Sequence, residues 1–275
     1  MTIIAQITDL HIREPGKLAY KRINTAPYLA RAVAALKVQK QAPDAVVITG
    51  DLCDFGRASE YEHLQRLLQD LACPVYLLPG NHDHREQLRE SFPAHTYLTQ
   101  STGDRVNYSV KIGDVRLIAL DTAVLGQSHG ELDSTQLAWL DEALAQSQHE
   151  PVIIAMHHPP FKTLIGHMDD IGLLKGADAL VAVVQKYPNV ERIICGHLHR
   201  SIDVRFAGTI ASTAPSVAHQ VALDIDPQAA SCWVLEPPAY KLHVWVGEGP
   251  LVSHLAYVDA YEGPYPFHED GQLID

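Results

Sequence analysis

Ile3-Ile4-Ala5-Gln6-Ile7 runs into Thr8-Asp9-Leu10-His11, and Ala45-Val46-Val47-Ile48-Thr49 runs into Gly50-Asp51. Each is a short apolar, β-branched run of the length of a buried strand, and each ends at once in side chains that can hold a metal. The phrase recurs. Val75–Leu78 leads to Gly80-Asn81-His82-Asp83, Val152–Met156 to His157-His158, and Arg192–Cys195 to Gly196-His197-Leu198-His199. A further run, Val115–Leu120, has the same strand character.

Helix-period segments lie between these runs. Thr25–Gln41 sets Leu29, Val33 and Leu36 on one face, and Ser134–Gln146 sets Leu137, Leu140 and Leu144. Ser59 and Glu62 have the spacing of a capping box opening a helix over Ser59–Leu71, and Pro188 stops a helix over Ala177–Tyr187. Strand–helix alternation of this kind predicts an α/β fold with largely buried strands. In such sheets ligands bind beyond the carboxyl ends of the strands, so residues spread from Asp9 to His199 are expected to converge in one cleft.

The chain changes character after residue 200. Residues 1–200 read as the catalytic core. Residues 201–275 read as a β-rich segment of antiparallel hairpins that completes a second sheet and forms a cap or an oligomer contact. Leu242–Val246 is expected to be an exposed strand open to pairing, and Glu262–Asp275 a loosely held tail.

Composition narrows the function classes. Lys and Arg number 21 against 33 Asp and Glu, a net charge of −12, which disfavours nucleic-acid polymers and anionic membranes as partners. No apolar run approaches the ~20 residues of a membrane helix. The first residues, Met1–Ile7, lack the basic start of a signal peptide, so a cytoplasmic location is expected. Cys53, Cys73, Cys195 and Cys232 form no C-x-x-C pair and read as reduced thiols rather than zinc ligands. Cys53 and Cys195 stand close enough to the suspected ligands to tune them.

The candidate ligands are Asp9, His11, Asp51, Asn81, His157, His197 and His199. Oxygen and imidazole donors without thiolate suit manganese, iron, zinc or cobalt. Seven ligands exceed what one tetrahedral ion takes and suit two ions sharing a bridging carboxylate, with Asp51 central. Any one Asp or His after a strand has an ordinary reading as a turn or capping residue; the ordered set does not.

With Asp9-Leu10-His11, Gly50-Asp51, Gly80-Asn81-His82-Asp83, His157 and Gly196-His197-Leu198-His199 in place, the sequence resembles the calcineurin-like metallophosphoesterases. Within them it is similar to class III cyclic-nucleotide phosphodiesterases and bacterial glycerophosphodiesterases. Gly16-Lys17-Leu18, Pro43-Asp44-Ala45-Val46-Val47, His157-His158-Pro159-Pro160 and Val217-Ala218-His219-Gln220 carry that similarity. The resemblance implies a four-layer αββα sandwich with a small C-terminal β-hairpin cap. It also implies one metal on Asp9, His11, Asp51 and His199 and a second on Asp51, Asn81, His157 and His197. An iron–manganese pair is expected, with zinc or cobalt as alternatives.

The implied reaction is hydrolysis of a small phosphodiester, with hydroxide generated at the ions attacking phosphorus in line. His82, beside Asn81, is the expected transition-state stabiliser or acid for the leaving oxygen, and Asp51 is the other catalytic candidate. Substrate contacts are expected from Asn81, His82, Arg13 and, on the resemblance, His219. Arg13 reads equally as a surface ion-pair partner. Asp83 reads either as orienting a neighbour or as capping its loop, and His158 as structural. His84, His167 and Tyr20 could line the cleft. Other readings are a nuclease or protein phosphatase on the same scaffold, or a non-catalytic scaffold protein.

Overall fold

The computed structural model describes residues 1–100 and 103–274. β1 (Thr2–Ile7), β2 (Ala45–Thr49) and β3 (Val75–Leu78) run parallel, with Ile4 opposite Ala45 and Val46 opposite Val75. β4 (Tyr108–Ile112) and β5 (Val115–Leu120) form an antiparallel pair, and β5 continues in parallel to β7 (Val152–Met156) and β9 (Val190–Cys195). β6 (Gly130–Glu131) and β8 (Leu173–Lys175) make a small ribbon of their own.

Residues beyond 200 extend both sheets. β10 (Ile202–Phe206) and β11 (Thr209–Thr213) form a hairpin whose second strand lies parallel to β9. β12 (Gln220–Val221) pairs with β13 (Trp233–Val234) beside the cleft described below. β14 (Ala239–Trp245) lies antiparallel to β1, with β15 (Val252–Tyr257) outside it. A last ribbon joins β16 (His268–Glu269) to β17 (Gln272–Leu273). The sheets thus have spatial orders β15-β14-β1-β2-β3 and β10-β11-β9-β7-β5-β4.

Two-residue periodicity explains the layers. In β5, Leu117 and Ala119 join the core between the sheets, while Ile118 and Leu120 join the cluster beneath the outer helices. β7 divides likewise, with Ile153 and Ala155 inward and Val152, Ile154 and Met156 outward. The helices α1 (Ala26–Lys37), α2 (Ala58–Leu68) and α3 (Arg85–Ser91) cover the first sheet with Leu29, Leu36, Leu64 and Leu88. α4 (Ser134–Gln146) and α6 (Ala177–Val184) cover the second with Leu140, Leu144 and Leu180. α5 (Gly166–Asp169) is a single turn at the cleft. The architecture is the expected αββα sandwich.

Polar side chains join the sheets across the core. Gln6 Nε2 donates to Thr49 Oγ1 at 3.0 Å and to the Cys195 carbonyl at 2.9 Å, and His243 Nε2 meets Gln6 Oε1 at 3.1 Å.

Local expectations need three corrections. α2 begins one residue earlier than expected, and Ser59 and Glu62 do not cap it: the Glu60 carboxylate accepts the backbone N–H of Arg57 (3.2 Å) and of Phe55 (3.0 Å). α1 ends at Lys37 rather than Gln41, and α6 at Val184 rather than Tyr187. Leu242–Val246 is not an open edge, because β14 is hydrogen-bonded on both sides; the edge is β15.

Candidate dinuclear active site

The parallel strands of both sheets end at one place, and so do the loops that follow them. The loop after β1 is laid against the loop after β2, with Asp9 N donating to the Gly50 carbonyl at 3.1 Å and His11 N to the Asp51 carbonyl at 3.0 Å. The loop after β9 reaches the first by His197 N donating to Asp9 Oδ1 at 3.0 Å. These turns need unusual backbone. Asp9, His11, Asp51, His197 and His199 all have φ between 45° and 69°, a left-handed conformation costing of order 1–3 kcal/mol at a non-glycine residue.

Two glycines are required by contact. A Cβ on Gly80 would strike the carboxylate and backbone nitrogen of Asp51, and one on Gly50, whose φ is +97°, would strike the His157 ring.

All seven expected ligands converge. Asp51 is central: its Oδ2 lies 3.5 Å from His11 Nε2 and 3.4 Å from His157 Nε2. Asp9, His11, Asp51 and His199 hold their donor atoms within 4.8 Å of one another. On the other side of Asp51, Asn81 Oδ1 is 3.2 Å from His157 Nε2, and the His157 and His197 rings stand 5.1 Å apart.

This cluster fits a pair of cations. Asp9 Oδ2 and His197 Nε2 are buried and have no hydrogen-bond partner among the described residues. The far nitrogens of three imidazoles are tied down. His157 Nδ1 donates to the Thr49 carbonyl (2.8 Å), His199 Nδ1 to the His219 carbonyl (2.9 Å) and His11 Nδ1 to Asp54 Oδ1 (3.2 Å). Each tautomer therefore turns an Nε2 lone pair inward, and those of His11 and His199 face each other at 3.3 Å. Unshared lone pairs and carboxylates so gathered are stable only around positive charge.

Electrostatics show the same demand for positive charge, which protonation of His157 meets where no ion does. Burial holds His197, His199 and His219 below the ordinary imidazole range, so they remain neutral donors. Burial pulls His157 down as well, but Asp51 and Asp9 outweigh it and raise the ring to about 9. Burial would raise Asp51, yet His157 and His82 keep it well below the usual carboxylate range.

Around the cluster, Asp83 clamps two ligand loops. Its Oδ2 accepts from Leu52 N (3.0 Å) and Gly80 N (2.9 Å), and its Oδ1 from Cys53 N (3.2 Å) and the Tyr61 hydroxyl (3.0 Å). His158 is buried with both nitrogens engaged, by Thr122 Oγ1 at 2.8 Å and the Ser128 carbonyl at 3.1 Å, as a structural role requires.

Of its two readings, Arg13 takes that of an ion-pair partner and does not line the cleft. Its guanidinium lies over Phe55 and pairs with Glu60 (2.9 Å) and Asp54 (3.2 Å), so it acts on the site only through Asp54 and His11. Cys53 and Cys195 are buried, and burial raises both thiols, which makes neither a ligand nor a nucleophile.

The cleft above the cluster measures about 250 Å³ and is lined by His82, His219, Tyr20 and His167, with Met168, Ile171, Val221 and Trp233 as its apolar wall. His82 Nδ1 donates to the Asp54 carbonyl at 2.8 Å, and its side chain is 34% exposed, so its other nitrogen is the one available to a ligand. His84 instead caps α3 through its Nδ1. Asp54, Ser128 and Trp233 escaped the sequence reading. A second carboxylate three residues after Asp51 was a usable signal for Asp54; the other two had none.

A family model described as calcineurin-like phosphoesterase matches residues 2–201. The chain is 36% identical over 274 residues to a probable glycerophosphodiester phosphodiesterase of Arcobacter nitrofigilis, covering 99% of this chain and 100% of the relative. It is 32% identical over 273 residues to a probable cyclic nucleotide phosphodiesterase of Rhodopseudomonas palustris, covering 97% of this chain and 96% of the relative. Among solved structures, a dimetal phosphatase from Danio rerio shares the fold with a TM-score of 0.68 at 18% identity, covering 94% of this chain and 96% of that one.

Proposed function

The chain belongs to the calcineurin-like phosphoesterase family, and from that premise we propose that it is a phosphodiesterase hydrolysing small phosphodiesters, cyclic nucleotides or glycerophosphodiesters. The observation that carries this reading is the buried convergence of Asp9, His11, Asp51, Asn81, His157, His197 and His199 on the floor of an open cleft. Asp9, His11, Asp51 and His199 would hold one divalent ion, and Asp51, Asn81, His157 and His197 the other, with iron and manganese as the proposed pair. When bound, the ions supply Lewis-acid stabilisation of phosphoryl charge and make a water acidic enough to ionise near neutral pH.

The chain's own residues do the rest. Asp51, set between the two groups of ligands, fixes their spacing. Asn81 and His219 meet the phosphoryl group from the cleft walls. His82 keeps its Nδ1 proton on the Asp54 carbonyl, so in its imidazolium form Nε2 carries the proton that passes to the leaving oxygen. The ligand set and His82 are complete, which supports catalysis over a scaffold role.

Among the described residues lining the cleft there is no Lys or Arg, which favours a small diester over a polynucleotide. No helix is long and apolar enough to cross a membrane. The proposed setting is the cytoplasm, where thiols such as Cys53 and Cys195 stay reduced.

The test is reconstitution of metal-free protein with Mn²⁺ and comparison of kcat/KM for cyclic AMP and glycerophosphoethanolamine. Metal-dependent turnover of either is expected. Absence of turnover on both, with two ions bound, would refute the reading.

A further inference from the structure

The cleft over the metal ligands does not end at its apolar wall. On the far side of Trp233 lies a second, wider groove of about 850 Å³, lined by Ile23, Tyr28 and Leu235, and Ser231, Cys232 and Trp233 border both spaces. The inner space, about 250 Å³, falls below the roughly 300–1,000 Å³ of clefts that enclose a drug-sized ligand. It has room for a phosphate and a small alcohol. A larger group needs the outer groove as well, and Trp233 stands between.

The indole is held there from several sides. β13 pairs it with Val221 on β12, its ring meets His219 at 5.5 Å and Tyr20 at 5.9 Å, and it packs against the buried Ala19, Ile23 and Ala218. A side chain so braced acts as a fixed partition rather than a mobile lid.

The geometry points to Trp233 as the residue that sets the size of the alcohol accepted by the diesterase, favouring small alcohols over nucleosides. This rests on the phosphodiesterase reading above and adds the substrate class. Its loss would merge the two spaces and admit bulky diesters.

Two substrates with one leaving group test it: methyl p-nitrophenyl phosphate and thymidine 5′-(p-nitrophenyl) phosphate, assayed with manganese-loaded enzyme. For the wild type, kcat/KM is expected to favour the methyl diester. Trp233→Ala should raise the thymidine-to-methyl ratio at least tenfold, chiefly through a lower KM for the thymidine diester, while Trp233→Phe stays within threefold of wild type. Calorimetric Kd values should follow the same order for the non-hydrolysable methylphosphonate and 1-naphthylmethylphosphonate, with only the second tightening in Trp233→Ala.

An unchanged ratio and unchanged Kd values in folded Trp233→Ala would overturn the proposal, as would equal losses on both substrates. If Trp233→Ala does not fold, Trp233→Leu carries the same test. A wild type that binds two ions and cleaves neither diester would overturn the phosphodiesterase reading instead.

Discussion

Replacing Asp83 by Asn separates the stability of the fold from the placement of the ligands. The carboxylate accepts four hydrogen bonds, from Leu52 N, Gly80 N, Cys53 N and the Tyr61 hydroxyl. An amide has one acceptor oxygen. Turned toward Leu52 and Gly80, it sets its NH₂ against Tyr61 and Cys53. The Tyr61 hydroxyl can rotate and accept; the Cys53 N–H cannot, and an unsatisfied buried donor costs about 1–3 kcal/mol. Against this stands the cost of the charge. Burial and the neighbouring Asp51 raise Asp83 to about 6. Relative to an unfolded value near 3.9, ionising it at neutral pH costs the fold at most about 3 kcal/mol, and less because the side chain is partly solvent-screened. The Asn variant recovers this cost.

The two effects nearly cancel, so the unfolding free energy of metal-free protein from urea titration is expected to stay within about 2 kcal/mol of wild type at pH 7.5. Since its folded pKa is raised, the wild-type carboxyl favours folding at low pH and loses that contribution as pH rises from about 4 through 6. Asp83→Asn removes this slope. Mn²⁺ affinity, which depends on loop placement, should fall about 10–100-fold by calorimetry. Wild-type affinity in Asp83→Asn would refute the clamp.

His82→Ala should lose at least ~10²-fold in kcat while metal analysis still finds both ions; near-normal turnover, or loss of metal, would sink the proton-transfer role. Gly80→Ala drives a methyl into the Asp51 carboxylate, so the purified variant is expected to contain little metal and to regain no activity in excess Mn²⁺. Burial, helped by Arg192 and Lys241, lowers His243 to about 3, so its folded neutral form is favoured and stability is lost as pH falls below about 6.5. Between pH 7.5 and 4.5 that loss approaches ~2.7 kcal/mol, and urea titrations of His243→Gln should show a shallower acid decline than wild type. Equal declines would rule out His243 as a source.

The sequence by itself determined the strands of the parallel core and the chemistry at their ends. A buried strand must be a short apolar run, and a dinuclear centre must be built from carboxylate, amide and imidazole donors, so residue type and order carry both facts. Ile3–Ile7 before Asp9 and Ala45–Thr49 before Asp51 were legible for this reason. Periodicity fixes which face of a strand is buried but not which strand lies beside it. Only the tertiary structure set β14 against β1 across more than 230 residues and left β15 as the edge. Hydrogen-bond partners follow from where loops meet, not from residue type. Tertiary contact therefore placed Arg13 outside the cleft lining, against Asp54 and Glu60, gave Asp83 four donors from two loops and a helix, and stood Trp233 between two cavities.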